Sequence, residues 1–136
     1  MRAILIISGL IWSSLAQAGL LVIASPQTPE ATITVEQLAD IYSAKRTLWD
    51  NKTQIVPVNR EATSQEREQF TRSVFNLSTQ ELGELWNRLS FEGKLPPTVQ
   101  SSDQAVLGFV RSVPGAIGYI SSGVQPIGVK VLLRLP

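Results

Sequence analysis

The segment Val56–Phe70, VPVNREATSQEREQF, carries the residues best suited to chemistry. An apolar stretch runs into Arg60, then a short polar loop, then residues spaced as a helix. Free backbone N–H groups at a helix N-terminus carry partial positive charge, and a guanidinium beside them can hold a phosphate-like oxyanion through two parallel bonds. Arg60, Ser64 and the amides of Gln65 and Glu66 could thus form an oxyanion cradle at a strand-to-helix junction. A second interpretation fits the same letters. Thr63 and Glu66 match a capping box, in which the Glu66 carboxylate turns back to the N-cap amide and Arg60 pairs with Glu61 or another carboxylate. Spacing leaves both open.

Ser121 and Ser122, after the segment AIGYIS, could offer hydroxyls to the same ligand, although the neighbouring glycines equally suit strand packing and a hairpin. A second charged group, Lys45, Arg46, Asp50 and Lys52 beside Trp49, suits a helix C-terminus and an Asp-Asn turn as well as it suits an anion. The sequence contains no histidine and no cysteine. A Ser-His-Asp or Cys-His nucleophile is therefore excluded, the commonest zinc ligand is missing and no disulfide can form. No paired carboxylates stand out, so the sequence points away from an enzyme and calls for no cofactor and no metal.

The elements that must position these residues follow a leader. Residues 1–18, MRAILIISGLIWSSLAQA, have one early basic residue, an apolar run and small residues at Ala16 and Ala18, the pattern of a secretory signal peptide cleaved after Ala18. The apolar run is too short for the roughly 20 residues of a membrane span, so the mature chain is expected to be exported and not inserted in the membrane. Its expected single domain is 19–136. Removing the leader takes Arg2 with it and brings the formal charge of +1 to zero. Nucleic-acid binding needs a clustered positive excess, which is lacking.

GLLVIAS, QIVPVN, AIGYIS and VKVLLRL read as strands, with Pro57 placing the second at an edge or strand end. Between them, Thr34 with Gln37 and Ser78 with Glu81 are capping boxes that open amphipathic helices, and Ser101 or Ser102 can cap another. Phe70, Val74 and Leu77 form one inward stripe; Trp86 and Phe91 are expected in the core. EGKLPPTVQ reads as a loop, because Gly93, Pro96 and Pro97 cannot continue a helix. Strands alternating with helices indicate an α/β fold with a mixed sheet of about four to five strands.

Three stretches taken together, TVEQLADIYSAKRTLWDN, VPVNREATSQEREQF and VPGAIGYIS, resemble the phosphate-binding proteins of ABC importers, members of the type II periplasmic binding proteins. The resemblance runs from about Leu20 to Ser122 and matches only the second of that family's two lobes. It implies a periplasmic solute-binding protein that holds phosphate or a similar oxyanion at Arg60, Ser64, Gln65, Glu66 and Ser121. It further implies an inner-membrane transporter or sensor as partner, or a homodimer that restores a two-lobed cleft. Where the family continues from its arginine to Ser-Gly-Thr, this chain has Ser64, Gln65 and Glu66. A carboxylate thus stands where a hydroxyl would donate to the anion. A ligand-free interaction module is the alternative that this departure suggests.

Overall fold

The computed structural model describes residues 19–136 together with Gly9. The expected signal peptide lies outside the described residues. The chain runs β1 (Leu20–Ala24), α1 (Val35–Tyr42), β2 (Val56–Arg60), α2 (Gln65–Phe75), α3 (Thr79–Phe91), β3 (Thr98–Gln100), α4 (Asp103–Ser112), β4 (Ala116–Ser121) and β5 (Lys130–Leu135). One sheet has the order β3-β2-β4-β1-β5. β3 and β4 both lie parallel to β2, whereas β1 is antiparallel to both β4 and β5, so the sheet is mixed.

β1 is buried along its whole length, and its period of two sends alternate side chains to opposite layers. Leu20, Val22 and Ala24 join Tyr42, Trp49, Phe70, Val74 and Tyr119 in an aromatic layer beneath α1 and α2. Leu21 and Ile23 join Val58, Val106, Val110 and Ile120 in an aliphatic layer beneath α4. Gly118 lets α4 lie close to the sheet, because a Cβ there would come within 2.9 Å of Val106 Cγ1. Both capping boxes form: Thr34 and Gln37 exchange hydrogen bonds at α1, and Ser78 and Glu81 do so at α3. Ser102 caps α4. Among the described residues no helix is long and apolar enough to cross a membrane.

Two expectations need correction. Thr98–Gln100, read as loop, is a short edge strand paired with Val58, Asn59 and Arg60. The two prolines end before it, and the missing donor of Pro57 falls where β2 pairs with β4 alone, so neither interrupts the β2–β3 ladder. Phe91 is 95% exposed rather than in the core, and Trp86 is only partly buried. α3 packs on α2 instead of on the sheet, and of its side chains Leu82 alone is buried.

Candidate anion site

The three parallel strands end together. Arg60 closes β2, Gln100 closes β3 and Ser121 closes β4, while α2 and α4 begin just beyond with Gln65 and Asp103. In an open α/β sheet this carboxyl edge is where ligands settle. The β2–β4 ladder covers only Val56↔Ala116 and Pro57↔Ile117. Past that point side chains tie the strands. The Tyr42 hydroxyl donates to the Val58 carbonyl at 2.6 Å and lies 3.3 Å from that of Ile117. The Tyr119 hydroxyl donates to Asn59 Oδ1 and accepts from the Arg60 amide at 3.2 Å.

The junction loop resolves which residue caps α2. Ser64 is the N-cap, with extended backbone angles, and its Oγ accepts from the Arg67 amide at 3.1 Å. Thr63 is exposed, and the Glu66 carboxylate does not turn back to the N-cap amide. Instead its Oε2 lies 3.8 Å from Arg60 Nη2, and its Oε1 accepts a long bond of 3.5 Å from the Ser121 hydroxyl. Gln65 and Glu66 are the first two residues of the helix, so their amides have no intrahelical acceptor.

The Arg60 side chain is only 8% exposed and is surrounded by carboxylates. Nη1 donates to Asp103 Oδ1 at 2.8 Å, while Nε and Nη2 each donate to Glu61 at 3.1 Å in a bidentate fork. Burial opposes the guanidinium's charge, but Glu61, Asp103 and Glu66 outweigh it and raise its pKa. The same bond from Arg60 holds the Glu61 carboxyl below its ordinary range. Burial pushes the Tyr119 and Tyr42 hydroxyls above the usual phenol range, so both stay protonated donors at neutral pH.

Arg60, Glu66 and Ser121 thus converge, Ser64 serves the helix start, and Gln65 lines an adjoining cleft. That cleft, about 480 Å³, runs from Glu66 and Ser121 along α2 to Arg72 and Pro136. Asp103 was not singled out from the sequence, yet it makes the shortest ion pair to Arg60, and it also accepts from the Ser121 amide at 3.4 Å. An acid just after an N-cap serine is ordinary helix chemistry, so nothing local marks Asp103. Arg67, likewise missed, donates from Nη1 to the Arg60 carbonyl at 2.9 Å.

The other charged group forms a separate knot. Arg46 pairs with Glu30 at 2.7 Å and Asp50 at 3.4 Å, its guanidinium 5.4 Å above the Trp49 ring. Lys45 and Lys52 are exposed. Among the described residues no group of three or more His, Cys, Asp or Glu could hold a metal ion.

A model of a PBP superfamily domain matches residues 7–127. The chain belongs to the PBP superfamily. Among solved structures, this PBP-superfamily chain is similar to a Clostridium perfringens protein assigned as a phosphate ABC transporter substrate-binding protein and solved with phosphate bound. The two share 26% identity at a TM-score of 0.69, over 85% of this chain and 44% of that one. An ABC-type phosphate transport receptor of Vibrio cholerae (24%, TM-score 0.67, 85% and 45%) and PstS of Borrelia burgdorferi (23%, TM-score 0.67, 85% and 46%) share the fold. The PBP-superfamily chain described here spans less than half the length of each. No curated protein sequence matches it significantly.

Proposed function

We propose that this PBP-superfamily protein is exported to the periplasm and holds phosphate or a similar oxyanion at the β2–α2 junction, in the service of phosphate transport or sensing. One observation carries the reading: a guanidinium only 8% exposed stands where the carboxyl ends of three strands meet the N-termini of two helices. Arg60 supplies the bidentate fork, the Gln65 and Glu66 amides point from the helix start, and the Ser64 and Ser121 hydroxyls complete the donor set. The bound phosphate of the Clostridium relative supports the ligand class.

Glu61 occupies the fork that the anion needs. It lies next to Arg60 in the chain, and its side chain is 33% exposed. The carboxylate reaches solvent while the guanidinium does not, so a doubly charged oxyanion can take its place on the fork. Glu66 must turn outward, and the adjoining cleft gives it room.

Thermal melting of the purified protein with phosphate, arsenate or sulfate tests the proposal. Ligand at a hundred times its Kd adds about 2.7 kcal/mol, enough to raise Tm by several degrees. The rise is expected in wild type and not in Arg60→Ala; no rise with any of the three anions would end the reading.

The three carboxylates around Arg60 favour a second reading, a ligand-free module that binds an inner-membrane transporter subunit, a sensor or a second copy of the chain. Recovery of such a partner from periplasmic extract, together with flat melting curves in all three anions, would select it.

A further inference from the structure

The polar bonds that fix Arg60 concentrate where the β2–β4 ladder stops. After Pro57↔Ile117 the two strands share no ladder hydrogen bond, and two buried tyrosine hydroxyls tie their main chains instead. They act on different residues. Tyr42 serves the carbonyls of Val58 and Ile117, short of the site. Tyr119 reaches the Arg60 amide itself and is locked to Asn59, whose Oδ1 accepts from the same amide at 3.0 Å.

The Tyr119 ring is also fixed. It stacks on Phe70 of α2 at 4.0 Å and 7°, and Phe70 meets the Tyr42 ring edge-on at 4.7 Å. A hydroxyl on a ring clamped between sheet and helix has little freedom, so its position sets that of whatever it binds. On the far side of the same residue, Arg67 holds the Arg60 carbonyl at 2.9 Å. The main chain of Arg60 is thus held at its N–H and its C=O by side chains from β4 and α2, while Asp103 fixes one edge of the guanidinium.

We infer that Tyr119 is a positioning residue for Arg60: its hydroxyl, seated on the Arg60 amide where β2 and β4 part, holds the guanidinium at the anion position. The inference rests on the oxyanion reading for its functional consequence, but its structural claim can be measured without any ligand.

The test compares Tyr119→Phe with Tyr42→Phe, since each removes one buried phenol hydroxyl and only the first touches Arg60. Two quantities are followed beside Tm: the Arg60 Nε–H resonance in the anion-free protein, and the Kd for inorganic phosphate by calorimetry. Tyr119→Phe is expected to shift the Arg60 resonance and weaken phosphate binding by about five- to tenfold, the scale of one hydrogen bond. Tyr42→Phe is expected to lower Tm comparably and leave both readings at wild-type values. An unmoved Arg60 resonance in Tyr119→Phe overturns the inference, and so do equal resonance shifts in the two variants. Wild type that binds no anion ends the oxyanion reading instead, and the resonance still decides whether Tyr119 positions Arg60.

Discussion

Arg60 and Arg46 are both set among carboxylates, but at opposite ends of the sheet. Arg46 ties one loop to another: Glu30 precedes α1, Asp50 follows it, and the guanidinium roofs Trp49. Trp49 in turn donates from Nε1 to the Gly115 carbonyl at 3.0 Å, beside the start of β4. Gly115 is at φ +83, and a Cβ there would come 2.1 Å from the Gln54 carbonyl, so the chain passes too tightly for any larger residue. Arg60, at the opposite ends of the strands, stands beside the N-termini of α2 and α4. Composition alone does not distinguish the loop tie made by Arg46 from the anion centre proposed for Arg60; the two differ in which end of the sheet they occupy.

The comparison yields experiments of graded effect. Trp49→Ala should cost about 3–5 kcal/mol, because it empties a fully buried site and removes one of the two donors on the Gly115 carbonyl, which keeps the Val56 amide at 3.0 Å. Calorimetric unfolding measures it, and the surviving folded protein should bind phosphate with unchanged Kd. Arg60→Ala should weaken phosphate binding about a hundredfold or more, the equivalent of ~2.7 kcal/mol, and a retained wild-type Kd would dissolve the distinction between the two arginines.

Arg46→Ala should lower stability by about 1 kcal/mol, from a partly exposed ion pair and a cation–π contact, and leave the Kd for phosphate alone. Loss of binding there to the extent seen in Arg60→Ala would reverse the assignment. The smallest effect belongs to Glu61→Gln, which frees the Arg60 fork and should tighten phosphate binding by about threefold at neutral pH. Glu61 also carries a pH signature. Its folded pKa lies below the ordinary value near 4.5, so its small contribution to stability is complete above that value and is lost as pH falls through the depressed one. Wild type should show this loss on acid titration and Glu61→Gln should not.

Much of this was legible in the chain because it is encoded locally. Capping boxes lie within four residues, and the continuous burial of β1 and β4 shows in their apolar runs. β3 was hidden because a three-residue edge strand after two prolines has no periodicity of its own and exists only through β2. The site was half legible. Arg60 announced itself by its place at a strand end, but Asp103 comes 43 residues later, and only the fold brings α4 to β2. Glu66 shows a limit of another kind. The choice between capping and facing Arg60 depended on whether Thr63 or Ser64 opens the helix, a shift of one residue that local pattern does not resolve.

The sheet order has a consequence for how the protein comes to be folded. β1, the first strand among the described residues, lies next to β4 and β5, so Leu20 must meet Ser121 and Leu135, roughly a hundred residues downstream. During synthesis neither layer of the core can close on β1 until β4 and β5 have emerged. The chain therefore spends its elongation without its central pairings, and its folding waits on contacts between distant parts of one strand order.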